Sequence, residues 1–116
     1  EQLNRVFFNL IKNSIESIQE KTNKSVDFKG KITIDINHDS YYIYVTIKDN
    51  GVGFEHIDKT KMLKPYFTTK KKGTGLGLAV VTKIINDHNS TISFTSISEG
   101  AKVDISIPKT IWQMKF

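Results

Sequence analysis

The sequence predicts a two-layer α/β (α+β) sandwich, with a mixed β-sheet covered on one face by helices. Three observations carry that expectation. Apolar residues recur at helical spacing over residues 2–21 and again after residue 76. Apolar and polar residues alternate over 31–37, 41–48 and 101–107, the mark of half-buried strands. The order is helix, two strands, short helix and loop, helix, two strands, and helices gathered on one face of a sheet give this architecture.

The length of 116 residues suits one compact domain, and 38% hydrophobic with 25% charged residues is a globular composition. Seventeen basic against twelve acidic residues give a net charge of +5. That suits an anionic ligand but is too mild and dispersed to argue nucleic acid. The absence of cysteine excludes a disulfide scaffold, a thiolate metal site and a thiol nucleophile. No apolar run approaches the ~20 residues of a membrane span, and no signal peptide is visible. A helical pattern is already running at Glu1-Gln2-Leu3, so the chain is expected to be a piece of a longer one.

In the first helix, Leu3, Val6, Phe7, Leu10, Ile11, Ile15 and Ile18 recur at steps of three and four. With Phe8 they cover more than half the girth, which predicts a helix largely covered by the fold. The remaining arc holds Gln2, Arg5, Asn9, Lys12, Asn13, Glu16 and Glu20, with Asn9, Asn13 and Glu16 on one line. Asparagine is a poor mid-helix residue, so this stripe reads either as a solvated face or as the lining of a pocket.

Polar residues 22–30 form a loop. Ile32, Ile34 and Ile36 then mark one face of a half-buried strand. After a turn at His38-Asp39-Ser40 comes a second strand, with Ile43, Val45 and Ile47 inward and Tyr42, Tyr44 and Thr46 opposite. The short connection makes the pair an antiparallel hairpin. The second strand runs into Asp49-Asn50-Gly51-Val52-Gly53, a carboxylate followed by a glycine turn. Asn-Gly explains the turn, whereas Gly53 is more than a turn needs.

A weak helical signal at 56–63 and a stretch without period at 64–73, carrying Lys64, Lys70, Lys71 and Lys72, read as a mobile lid over a ligand. The next helix spans about Leu76 to His88 and ends at Asn89-Ser90, asparagine being an acceptable left-handed cap. Thr91–Ile97 is a strand of imperfect alternation, with Ile92 and Phe94 in phase and Ile97 out of it. Ser98-Glu99-Gly100 turns, the last strand puts Val103, Ile105 and Ile107 inward, and Pro108 stops it. Thr110–Phe116 holds Trp112 and Phe116 and fits none of these elements.

Lys70-Lys71-Lys72-Gly73-Thr74-Gly75-Leu76-Gly77-Leu78 leads straight into an apolar helix. Alternate glycines let backbone N–H groups approach a ligand, and a helix start adds unpaired donors with a partial positive charge. This composition is not that of a linker, and it predicts a polyphosphate site. The P-loop spacing is absent, and the glycines do not fit the dinucleotide fingerprint.

Three stretches therefore stand in order: Asn9-Leu10-Ile11-Lys12-Asn13-Ser14-Ile15-Glu16, Asp49-Asn50-Gly51-Val52-Gly53, and Pro65-Tyr66-Phe67-Thr68-Thr69-Lys70 leading to Gly73-Thr74-Gly75-Leu76-Gly77-Leu78. Together they resemble the N box, first glycine box, F box and second glycine box of the ATP-binding catalytic domain (HATPase_c) of sensor histidine kinases, in the GHKL superfamily shared with DNA gyrase and a large heat-shock chaperone. The PYFTTK run and Glu16 are most similar to the nitrogen-regulation subgroup. The resemblance covers nearly the whole chain and implies a Bergerat-type fold in a single domain, residues 1–116, with 64–75 as the ATP lid.

It also implies roles. Asn13 would bind Mg2+, its amide oxygen being a hard donor, and Asn9 one turn earlier would help directly or through water. Asn9 and Glu16 are candidates for assisting transfer. Asp49 would accept a hydrogen bond from the adenine amino group, favouring ATP over GTP. Asn50, Gly51 and Gly53 would bring backbone to the base. Phe67, Thr68, Thr69 and Lys70 would belong to the lid, and Gly73, Thr74, Gly75, Leu76, Gly77 and Leu78 would hold the phosphates. Ser14 stands where the family often has alanine, and Asn89-Ser90 where it often has two glycines. Where the superfamily's ATPases place a glutamate base, this chain has Asn9, which cannot take a proton. Hydrolysis is then disfavoured and transfer to another acceptor favoured.

None of His38, His56 and His88 lies in an acceptor-like helical setting, and all three read as surface histidines. The chain is therefore expected to bind Mg-ATP and to phosphorylate a histidine on a dimerisation domain of the same parent chain, which then serves a response regulator. Neither nucleic acid nor direct membrane contact is expected, and the location is cytoplasmic, with the parent chain a candidate for membrane anchoring. The alternatives are a nucleotide-sensing module without transfer, and a serine kinase or ATPase of the same superfamily.

Overall fold

In a computed structural model the structure describes residues 2–24, 27–53 and 77–110. They form α1 (Gln2–Lys24), β1 (Ile32–His38), β2 (Tyr42–Asp49), α2 (Gly77–Asp87), β3 (Thr91–Ile97) and β4 (Gly100–Pro108). The expected short helix at 56–63 and lid at 64–75 lie outside the described residues.

The four described strands form one sheet in the order β1-β2-β4-β3. A mixed sheet was the expectation, but every hydrogen-bonded neighbour pair is antiparallel. The crossover through α2 does return β3 parallel to β2. β4 then slots between them, so the parallel pair never touches.

Register explains the layers. Val45 stands opposite Ile36 and Ile105, and Ile47 opposite Ile34 and Val103. Opposed residues share a face, so these side chains all point toward the helices. α1 contributes Val6 and Leu10, and α2 contributes Val81, Ile84 and Ile85, to a core with Val45, Ile47, Val103, Ile105 and Ile107. Each fully buried aliphatic side chain contributes about 1.5–3 kcal/mol of transfer free energy. The other face carries Tyr42, Tyr44, Thr46, Lys102 and Asp104, where Thr46 Oγ1 donates to Asp104 Oδ1 at 2.7 Å.

Two expectations about covering fail at the margin. β1 is half-buried only at Ile32 and Thr33, while Ile34 and Ile36 are exposed. On α1, Phe8 and Ile15 are exposed as well. The reason is lateral: α1 packs against β2 and α2, and the edge strand lies beyond its reach.

The helix ends have identifiable causes. Lys21 and Lys24 in the last turn of α1 complement the helix dipole. α2 ends in a Schellman cap. Asn89 adopts φ 54°, its N–H donates to the Asn86 carbonyl at 3.1 Å, and the Ser90 N–H donates to the Ile85 carbonyl at 3.0 Å. His88 was expected on the surface. It is buried, with Nδ1 2.7 Å from the Ile84 carbonyl, to which it donates.

Candidate functional site

β2 ends at Asp49, which is buried on the helix-facing side of the sheet, opposite Ile32 and Ala101. Asp49 Oδ1 accepts a hydrogen bond from the Gly51 N–H at 2.9 Å. That bond closes the turn and fixes the carboxylate. An ionised carboxylate offers about four acceptor sites.

The turn is held from two sides. Asn50 Oδ1 accepts from the Lys31 N–H at 2.7 Å, and Nδ2 donates to the Lys29 carbonyl at 3.0 Å. Both polar ends of Asn50 are thus engaged with the 29–31 backbone. From α1, Lys21 Nζ donates to the Asn50 carbonyl at 3.2 Å and stands 4.8 Å from the centre of the Phe28 ring. Ser17 Oγ accepts from the Val52 N–H at 3.0 Å and lies 3.5 Å from the Gly53 nitrogen.

The glycines answer to packing. A side chain on Gly51 would strike Ser17 and its backbone. Gly53 has φ +74°, and a side chain there would meet the Gly100 carbonyl. Gly100, with φ +140° in the β3–β4 turn, would in turn drive a Cβ into the Asp49 carbonyl. Backbone from α1, from the turn after β2 and from the start of β4 is therefore closely packed around Gly51, Gly53 and Gly100.

Ser17 ties this turn to the polar stripe of α1. Asn9, Asn13 and Ser17 follow at steps of four, about 6 Å apart along the axis. Asn9 and Asn13 are half-buried, and neither makes a side-chain hydrogen bond to any described residue. Glu16 is half-buried beside them, and Ser14 is buried in the helix interface.

α2 begins at Gly77, and Leu78 packs on the core. The tight Asn89-Ser90 turn folds α2 back on β3, so its N-terminus points toward the Ile97–Gly100 end of the sheet. Ala101 is opposite Asp49, so the helix start and the carboxylate share that end. Phe67, Thr68, Thr69, Lys70, Gly73, Thr74, Gly75 and Leu76, expected as lid and phosphate loop, lie outside the described residues.

Among the described residues no group of three or more His, Cys, Asp or Glu side chains could hold a metal ion. Amide oxygens from Asn13 and Asn9 suit Mg2+, which usually takes one or two protein ligands beside substrate phosphates and water.

Ser17, Lys21 and Gly100 escaped the sequence reading. Gly100 read as part of a simple turn, and Lys21 was given no role. For Ser17 the signal was present: a serine one turn after Asn13, on the same line as Asn9 and Asn13.

The family model for histidine kinase-, DNA gyrase B- and HSP90-like ATPases matches residues 1–111. Sporulation kinase A of Bacillus subtilis is 40% identical over 109 residues, 93% of this chain and 17% of that protein. The nitrogen regulation protein NtrY of Azorhizobium caulinodans is 38% identical over 92 residues, 79% of this chain and 12% of that protein. The nitrogen-regulation likeness thus stands beside an equal likeness to sporulation kinases. The chain spans about a sixth of the length of these relatives or less. Among solved structures, the nucleotide-free catalytic domain of the histidine kinase ThkA superposes with a TM-score of 0.76 at 32% identity, over 93% of this chain and 66% of that one. The mycobacterial sensor histidine kinase MprB shares the fold, with a TM-score of 0.75 at 19% identity over 92% of this chain and 72% of that one.

Proposed function

Since the chain belongs to the histidine kinase-, DNA gyrase B- and HSP90-like ATPase family, we propose that it is the catalytic domain of a sensor histidine kinase, binding Mg-ATP and presenting the γ-phosphate to a histidine on a separate dimerisation domain. The observation that carries this reading is the Asn9–Asn13–Ser17 line. Two mid-helix asparagines cost a few tenths of a kcal/mol each against lysine or glutamate. Here they stand half-buried and unbonded to the described residues, one turn from a glycine loop built around a buried carboxylate. A bound nucleotide would satisfy them.

In this reading the Asp49 carboxylate accepts from the adenine amino group, with Gly51 and Gly53 letting backbone close on the base. The triphosphate runs along α1 toward Asn13 and Asn9. Asn13 would hold Mg2+, with Asn9 beside it, and the chemistry that ion would supply is neutralisation of phosphate charge. Asn9 cannot act as base for water, which favours transfer over hydrolysis. Glu16 remains a candidate for assisting transfer. The residues of the second glycine box, from Gly73 to Leu78, cradle the phosphates, and Phe67, Thr68, Thr69 and Lys70 close over them.

The acceptor comes from elsewhere. His88 is buried in a helix cap, and His38 is held by Lys109 at a strand end. His56 lies outside the described residues. The acceptor is then a histidine-bearing dimerisation domain of the same parent chain, and the phosphoryl group passes on to a response regulator. Dependence on ATP places the domain in the cytoplasm. Among the described residues no helix is long and apolar enough to cross a membrane, and we assign any anchor to other parts of the parent chain.

Calorimetric titration of the 116-residue chain with ATP, with and without Mg2+, tests this. Magnesium-dependent binding that Asn13→Ala abolishes is the expected result. Binding that Asn13→Ala leaves unchanged overturns the metal assignment, and no binding at all overturns the whole reading.

A further inference from the structure

β1 is an edge strand of the described sheet. At its two ends the Asn50 N–H donates to the Lys31 carbonyl at 3.2 Å and the Asp39 N–H to the Tyr42 carbonyl at 3.0 Å. Hydrogen-bonded pairs alternate with non-bonded ones along an antiparallel ladder. Residues 31, 33, 35, 37 and 39 therefore turn their peptide groups to β2, and Ile32, Ile34 and Ile36 turn theirs outward. Such edges are commonly blunted by lysine, proline or a bulge. Residues 32–38 hold neither lysine nor proline, and their register with β2 runs without a break.

The side chains beside this edge are apolar. Ile34 and Ile36 lie on the helix-covered face, yet they are 47% and 65% exposed. At the opposite edge, Ile92 and Phe94 of β3 are half-buried against the core. Above β1, Phe8, Ile11, Ile15 and Ile18 follow along α1 at steps of three and four, and Ile18 lies where a side chain on Gly30 would strike it. On that line Phe8 and Ile15 are exposed. Ser17 meets Val52, so Phe8 stands ~13 Å back along α1, about level with Ile47 and its partner Ile34.

A second copy of β1 fits this edge. Outward peptide groups fall on even-numbered residues, so an antiparallel two-fold pairing centres on Ile34, Asp35 or Ile36. Centring on Asp35 sets two carboxylates face to face in a close non-bonded pair, which is destabilising. Centring on Ile36 sets Ile34 against His38. Centring on Ile34 sets Ile34 against the second copy's Ile34 and Ile32 against its Ile36, all on the helix-covered face. On the other face Asp35 then stands against Thr33 and diagonal to Lys31, within reach of its long side chain. Asp35 and Lys31 are exposed, and neither makes an ion pair among the described residues. Lys48, opposite Thr33 on β2, adds positive charge to the same row. Isoleucine phase and charge thus select one register.

We propose that two copies of this chain join edge to edge through β1, antiparallel, with the two-fold axis at Ile34, so that one sheet runs through both. The outward peptide groups of Ile32, Ile34 and Ile36 pair, and Ile34, Ile36 and Phe8 of both copies are covered at the joint. β2 and its counterpart then lie three strand spacings apart, about 14 Å. Helices 10–12 Å across lying over them bring the two Phe8 side chains toward each other near the axis. A strand of unrelated sequence would satisfy the peptide groups alone. The isologous pairing supplies the isoleucine match and the Lys31–Asp35 match from a single sequence.

Sedimentation equilibrium of the 116-residue chain without nucleotide should show a monomer–dimer equilibrium. Ile36→Lys alters an exposed position and should abolish the dimer with the far-UV circular dichroism unchanged. The chain has no cysteine, so single cysteines report the register. A short bis-methanethiosulfonate reagent should join Ile34→Cys chains in pairs, because facing residues stand ~5.5 Å apart. It should leave Ile36→Cys chains single, their two cysteines lying ~13 Å apart along the strands, and should join them to Ile32→Cys chains in a mixture. A chain that stays monomeric at ~1 mM overturns the proposal. So does a dimer that Ile36→Lys leaves intact, and so does linkage of Ile36→Cys to itself in place of Ile34→Cys, which moves the joint to another register.

Discussion

Ser17 Oγ accepts the Val52 N–H at 3.0 Å, joining the middle of α1 to the glycine turn 35 residues later in the chain. The polar stripe of the helix and the Asp49 turn are thereby one unit. If the turn shifts along α1, the carboxylate moves relative to Asn13, and a ligand spanning both would lose one contact to keep the other.

Replacing Ser17 by alanine should therefore separate two effects. Loss of a net hydrogen bond costs about 0.5–1.5 kcal/mol of stability, a few degrees in melting temperature for a domain of this size. Nucleotide affinity should fall in addition, because the turn is no longer pinned. Urea denaturation with and without ATP measures both. A variant with full ATP affinity would show that the turn holds its position without the serine.

Gly100 is the more severe site. Its φ of +140° is one that L side chains rarely adopt, and a Cβ would strike the Asp49 carbonyl, which belongs to backbone and cannot swing away. Gly100→Ala should cost about 3 kcal/mol or more, the sum of backbone strain and displacement. Its signature is joint loss: the denaturation midpoint and ATP binding fall together. Gly30→Ala should cost less than Gly100→Ala, since what a Cβ there would strike is a side chain, that of Ile18, and not backbone.

Much of this architecture was legible because alternation and helical spacing report burial directly. β2 and β4 alternate between two environments, and Val45, Ile47, Val103, Ile105 and Ile107 are buried as their phase requires. Ile34 and Ile36 have the same phase and are exposed, because phase assigns a face and not the width of the layer above it. His88 was misjudged for a related reason. Its burial follows from the Schellman cap, a geometry set by Asn89 and Ser90 after it. In the site, Asp49, Gly51 and Gly53 were legible as a carboxylate with one glycine too many. The reason for that extra glycine, the Gly100 carbonyl, comes from a strand distant in sequence.

The hairpin turn should give the domain a dependence on pH at both extremes. Asp39 is held below its ordinary value of 3.8 first by the Tyr44 hydroxyl and then by the Tyr41 and Tyr42 N–H groups. Tyr44 is pushed above 10.0, first by that same bond to Asp39. A carboxyl depressed in the folded state contributes stability that is complete above its unfolded pKa and lost as pH falls through the folded one. A phenol raised in the folded state contributes below its unfolded pKa and loses that contribution as pH rises through the folded one. The stability difference between the unaltered chain and Asp39→Ala should thus be flat between about pH 5 and 9 and narrow beyond either end. Denaturant midpoints across pH measure it; a difference that widens below pH 3.8 would reverse the sign and sink the assignment.

Asp49→Asn tests the base-recognition step with little disturbance of the fold. The asparagine oxygen can still accept the Gly51 N–H, so the turn survives, and stability should change by less than about 1 kcal/mol. On the proposed reading, what would be lost is the charge-assisted bond to the adenine amino group, worth about 1.5–3 kcal/mol, or roughly 10- to 100-fold in affinity. The new amide also carries N–H donors, which guanine's carbonyl accepts where a carboxylate would repel it. ATP affinity should fall, GTP affinity should hold or rise, and the preference between them should shrink. Paired titrations with ATP and GTP on both proteins read this. Equal affinity for the two nucleotides in the unaltered chain would remove Asp49 from base recognition.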